Sequence, residues 1–178
     1  AMSTVFVPVF VRYRAEHSLA ELWDFSRKFF YTLAGVTSLI VGLEILFAPL
    51  IVRGMAPGFT AIPGKLELTI WLLRLMAPYL IFVALGALLA GVLNSFGYFA
   101  VTALSGIFFN LSVIGASFSI ARVTSEPAVG IAIGVLIGGG LQLACQIPLS
   151  LREGMNFKPG FSFHHPAVQK IGALLAPS

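Results

Sequence analysis

Between Leu75 and Ala121 the chain runs for 47 residues without a charged side chain. A helix crosses the roughly 30 Å hydrocarbon core of a bilayer in about 20 residues. The run is therefore too long for one span, and it must be divided. The division falls at Asn94-Ser95-Phe96-Gly97, a polar turn signal between two apolar stretches. Composition carries the same reading to the whole chain. Hydrophobic residues make up 58% and charged residues 10%, where soluble domains carry roughly 25% charged residues. A 178-residue globule has too much surface for its volume to hide that apolar content from water. A soluble enzyme, a disordered chain and a disulfide scaffold are thereby excluded, the last also because Cys145 is the single cysteine. The expected class is an all-α, polytopic transmembrane helical bundle.

Four runs are long and apolar enough to cross. They give expected helices over about 29–52, 68–93, 97–121 and 127–151. Residues Ala1 to Val11 are apolar but too few to cross, and no basic stretch precedes them, so they read as the last turns of a helix and not as a signal peptide. Pro166 begins a further apolar pattern at the other end. The expectation is a single transmembrane fragment over 1–178, with four complete helices and two truncated helix stubs, 1–11 and 166–178. Ser18-x-x-Glu21 has the form of a capping box, which predicts a short interfacial helix leading into the first span. Pro57-Gly58 and Pro63-Gly64 mark turns between the first and second spans. Lys and Arg set the orientation. The segment Arg12 to Lys28, the Asn94 turn and the tail after Leu151 together hold seven, against four (Arg53, Lys65, Arg74 and Arg122) on the opposite side. The richer side is expected to be cytoplasmic. The net charge of +4 comes from scattered residues, so no nucleic-acid partner is expected.

Motifs for soluble chemistry are missing from the sequence: it has no P-loop, no H-E-x-x-H and no G-x-S-x-G. Asp24 is the single aspartate and lies among charged neighbours, and His164-His165 has no Cys or acid nearby, so neither a cofactor nor a metal is expected. Glu44 is the sharpest single residue. It lies about four residues past the middle of its span, hence about 5 Å from the midplane. A charge there costs a few kcal/mol, so Glu44 faces a wet cavity or a partner, is protonated, or snorkels to the outer boundary. On the fourth span Gly130, Gly134, Gly138, Gln142 and Gln146 recur at every fourth residue. The glycine half permits close helix packing, and the glutamine half offers neutral donors and acceptors. The third span has a matching stripe of Thr102, Gly106, Asn110 and Ser117. These amides serve either interhelical hydrogen bonds or the wall of a polar cavity. The candidate cavity positions are Glu44, Arg74 at the membrane boundary of the second span, Asn110, Gln142 and Gln146.

Ordered motifs then run along nearly the whole chain. They are Phe6-Val-Pro-Val-Phe-Val-Arg-Tyr-Arg14, Phe47-Ala-Pro-Leu-Ile-Val-Arg-Gly-Met-Ala-Pro-Gly-Phe59 and Leu72-Leu-Arg-Leu-Met-Ala-Pro-Tyr-Leu80. Gly91-Val-Leu-Asn-Ser-Phe-Gly-Tyr-Phe99, Asn110-Leu-Ser, Gly139-Gly-Leu-Gln-Leu-Ala-Cys-Gln-Ile-Pro148, Arg152-x-Gly154 and His165-Pro-Ala-Val168 follow. In order and spacing they resemble the lipid II flippase family MurJ (MviN), within the larger exporter superfamily. The resemblance implies a fourteen-helix protein with two six-helix lobes about a central cavity, of which this chain would be part of the N-terminal lobe, from the end of helix two to the start of helix seven. It implies a multi-pass protein of the bacterial cytoplasmic (inner) membrane. Its function would be to move the undecaprenyl-linked peptidoglycan precursor, lipid II, outward by alternating access in cell-wall biosynthesis. The implied partners are lipid II, the bilayer and the remaining lobe. The family's essential cavity arginines and its cation site would lie outside this fragment. Thr102 and Gly106 depart from the family, which commonly carries prolines on that helix, and imply a straighter or differently bent helix here. The residues alone leave other readings open: another exporter of the superfamily, carrying polyprenyl-linked oligosaccharides or drugs, a polyprenyl-phosphate membrane transferase, or an inert packing fragment. A transferase would need loop acids for Mg²⁺, and the chain has almost none.

Overall fold

A computed structural model describes residues 10–120, 122, 124 and 126–158. The proposed stub 166–178, most of the stub 1–11, and His164-His165 lie outside the described residues. All regular structure among those described is helical. In chain order the elements are α1 (residues 10–16), α2 (Leu19–Met55), a 3₁₀ turn (Pro57–Ala61), α3 (Lys65–Met76), α4 (Tyr79–Ser95), α5 (Phe99–Ile120), α6 (Pro127–Ala144) and α7 (Ile147–Arg152). They form four helical spans long and apolar enough to cross a membrane: Leu19–Met55, Lys65–Ser95, Phe99–Ile120 and Pro127–Arg152.

The capping box forms. Ser18 Oγ accepts the Glu21 amide at 3.4 Å, and Glu21 Oε2 accepts the Ser18 amide at 2.9 Å. The helix it starts does not stop at the interface: α2 continues for 37 residues into the first span. No proline interrupts Leu19 to Leu46, and no glycine stands before Gly35, so nothing ends the helix where the charges end, at Lys28. At 1.5 Å per residue it is about 55 Å long, well beyond the hydrocarbon thickness. The second span bends within its length at Ala77–Pro78, where both residues keep right-handed helical geometry. Pro78 lacks the amide hydrogen that would continue the α-helical bonding, and Leu80 and Ile81 donate instead to Ala77 and Pro78 in tighter turns. The fourth span breaks similarly ahead of Pro148. By contrast α5 runs unbroken for 22 residues, as Thr102 and Gly106 in place of prolines allow. The turn at Asn94–Gly97 closes as the sequence indicates. Gly97 takes a φ of +88°, a conformation that favours glycine, and Thr102 Oγ1 donates to Asn94 Oδ1 at 2.8 Å.

Helix α4 is the middle of the bundle. Its Leu85, Gly86, Leu88, Leu89, Val92 and Leu93 are buried between α2 on one side and α6 on the other. Helix α5 packs almost wholly on α6 and leaves Leu104, Ile107, Phe108, Leu111, Ile114 and Phe118 exposed, an apolar face suited to lipid. The α5–α6 contact depends on missing side chains. A Cβ built at Gly134 would stand 2.8 Å from the Val113 backbone, and one at Gly138 would stand 3.0 Å from the Phe109 carbonyl. Ser112 Oγ donates to the Gly134 carbonyl across this contact at 3.0 Å, a bond worth about 0.6 kcal/mol in such settings.

At one end of the bundle α1, the start of α2, the Asn94 turn and residues 153–157 are tied together. Arg14 donates to the Ser95 carbonyl at 2.7 Å and lies 4.1 Å above the Phe96 ring. Trp23 stacks on Phe96 with ring centroids 5.3 Å apart. Gly154, at φ +101°, lies where a Cβ would meet the Trp23 indole nitrogen at 3.0 Å. Tyr98 donates its hydroxyl to Glu153 at 2.6 Å, and the accepting carboxylate raises the phenol above its ordinary value.

The glycine contact yields a contrast. Gly134→Ala should lower the amount of folded full-length protein, because backbone faces the new methyl. Gly106→Ala, with nothing within 4 Å, should leave it unchanged or raise it by up to about 1 kcal/mol of helix propensity. Detergent extraction followed by size-exclusion chromatography compares them. Equal behaviour of the two would contradict the packing described.

Candidate functional site

The five candidate positions do not converge. They divide between a cavity where α2 meets α3 and α4, and the α4–α5–α6 packing.

Glu44 lies half-buried on α2 and lines a cavity of about 430 Å³ with Leu73, Met76, Ala77, Tyr79 and Leu80. The opposite wall is the bend of the second span, where Ala77 and Pro78 interrupt the regular helix surface. Tyr79 closes one side: its ring lies 5.5 Å from that of Phe109 on α5, and it fills the space left by Gly139, where a Cβ would meet it at 2.7 Å. The ion pairs among the described residues are Arg12–Glu16, Arg27–Asp24 and Lys28–Asp24. Glu44 therefore has no cation within 4.0 Å there. Its carboxyl group is set in a mostly apolar cavity within a membrane span. Thr37, on the same face of α2, donates to its own helix at Leu33.

Arg74 is one residue from Leu73 of that cavity, yet its guanidinium turns elsewhere. Nε donates to the Ile45 carbonyl of α2 at 3.1 Å.

Two of the three amides donate to their own helices. Asn110 is exposed on α5 and donates to the Gly106 carbonyl at 3.0 Å. The face of α5 that meets α6 is instead Phe109, Ser112, Val113 and Ala116. Gln146 is 1% exposed. Its Nε2 donates to the Gln142 carbonyl at 3.0 Å and lies 3.7 Å from where a Cβ of Gly86 would be. Its Oε1 is buried without a hydrogen-bond partner. Gln142 is half-buried one turn earlier on the same stripe. No group of three His, Cys, Asp or Glu side chains that could hold a metal is found among the described residues.

The sequence model of one protein family, Lipid II flippase MurJ, matches residues 1–178. The chain belongs to the MurJ family. Three relatives, each named Probable lipid II flippase MurJ, show the extent of the likeness. That of Treponema pallidum is 34% identical over 100% of this chain, that of Rickettsia prowazekii 33% over 100%, and that of Vibrio cholerae 29% over 100%. The MurJ-family chain spans about a third of the length of these curated relatives, with shares of 34%, 35% and 35%.

Within this MurJ-family chain Glu44 is the candidate that lines the cavity, and Gln146 is the one most deeply packed. Gln146→Met keeps the side-chain volume and removes the unpaired Oε1. Because an unsatisfied buried acceptor costs about 1–3 kcal/mol, this variant should retain folded protein and transport in the full-length protein, whereas Gln146→Ala should lose folded protein. Loss of transport by Gln146→Met at a normal protein level would return Gln146 to the substrate path.

Proposed function

We propose that the chain is part of a flippase that carries lipid II, the undecaprenyl-linked peptidoglycan precursor, from the inner to the outer leaflet of the bacterial cytoplasmic membrane. The observation that carries this reading is the family match over the whole chain. The physical character of the spans supports it. A polar headgroup crosses hydrocarbon only along a path that replaces its water. The Glu44 cavity is such an opening among the described residues, beside helices in which several polar side chains donate to their own backbones. Transport by alternating access then requires the other lobe, which supplies the facing wall.

A carboxylate repels a diphosphate. In this reading Glu44 contacts the sugar and peptide portion of the headgroup, accepting hydrogen bonds from hydroxyl and amide N–H groups. The attraction for the diphosphate comes from cations outside this fragment. A hydrogen bond to a charged group contributes about 1.5–3 kcal/mol, which corresponds to tenfold or more in affinity.

The test uses the full-length gene in a strain depleted of its own lipid II flippase. Glu44→Gln keeps an acceptor and drops the charge; it should lower lipid II exposure on the outer face about tenfold at an unchanged protein level in the inner-membrane fraction. Glu44→Leu should lower it further. Full complementation by both variants would remove Glu44 from the substrate path.

A further inference from the structure

The Arg74 contact with α2 coincides with a defect in that helix. Pro49 lies inside α2 and has no amide hydrogen, so the carbonyl four residues earlier, that of Ile45, has no donor from its own helix. Ile45 is half-buried and lies in the apolar part of the span, where a carbonyl without a hydrogen-bond donor costs free energy. Arg74 Nε stands 3.1 Å from that one carbonyl, reaching it from the last turn of α3. A cation in this last turn could have stayed near the C-terminal carbonyls of α3, which its charge favours. It crosses to α2 instead, and the carbonyl it finds is the one that Pro49 leaves bare.

We infer that Arg74 is a positioning residue: its guanidinium replaces the amide that Pro49 withholds, and so latches α3 to α2 at the edge of the Glu44 cavity. Ile45 neighbours Glu44 on one wall and Arg74 neighbours Leu73 on the other, so the latch sets the separation of the two walls. The Nε–H of Arg74 is thereby committed to the backbone, and the remaining guanidinium N–H groups are still donors. The latch stands on the helix geometry alone, whatever the transported molecule is.

The coupling between positions 49 and 74 tests this. In the full-length protein, Arg74→Met removes the donor while keeping a long side chain. It should lower the ratio of folded to aggregated protein after a fixed heating step about fivefold or more, read by size-exclusion chromatography. Pro49→Ala gives Ile45 its own helical donor, so in that background Arg74→Met should cost little. An equal cost in both backgrounds, or no cost in either, overturns the latch. If Pro49→Ala does not accumulate, Arg74→Lys decides. Lysine can still donate to Ile45 and should hold the folded fraction above that of Arg74→Met, whereas equal values for the two overturn the inference. Since the readout is folded protein and not transport, a failed latch leaves the lipid II reading untouched.

Discussion

Inside a bilayer each backbone donor and acceptor must find its partner within the protein, and the polar groups of this chain are arranged largely around that requirement. Three of its four spans contain a proline after the first turn, Pro49, Pro78 and Pro148, and each removes one helical donor. At Pro78 tighter turns take over. Near Pro148 the helix breaks into α6 and α7, and the Gln146 amide folds back on Gln142. At Pro49 the helix continues, and a side chain from the next span reaches the bare carbonyl. Hydroxyls follow the same habit: Ser26, Thr37 and Ser117 each donate to the carbonyl four residues back. Glu44 stands apart because its side chain lines a cavity.

Close contact supplies what the hydrophobic effect cannot, since lipid is as apolar as the helices themselves. Gly134 and Gly138 let α6 approach the α5 backbone, and Gly139 admits the Tyr79 ring from the second span. The same Tyr79 borders the Glu44 cavity. Packing of the third and fourth spans is therefore mechanically joined to the cavity wall through one aromatic ring.

The span pattern was legible because hydrocarbon imposes length and apolarity directly on sequence, and the Asn94–Gly97 break and the Ser18–Glu21 cap have local chemical signatures. The contacting face of α5 was not. Thr102, Gly106 and Asn110 repeat every fourth residue, but each such step rotates about 40° around the helix. The face that meets α6 runs through Phe109, Ser112, Val113 and Ala116, which leaves Asn110 exposed. The extension of α2 back to Leu19 was hidden for a different reason: charges mark where a membrane ends, not where a helix does. The partner of Arg74 Nε, a backbone atom 29 residues away, leaves no local mark in the sequence. The proline that leaves this atom bare was visible, but the approach of α3 was not. Trp23 against Gly154 and Phe96 likewise joins segments that only the fold brings together.

Glu44 lines a cavity within a span, whereas Gln146, the deepest of the other candidates, is packed away. Thiol labelling measures this directly. In a Cys145→Ser background of the full-length protein, single cysteines placed at Glu44 and at Gln146 are exposed to a small, charged, water-soluble thiol reagent in open membranes. Rapid modification at position 44 and protection at position 146 are expected. Protection at 44 together with modification at 146 would contradict this arrangement.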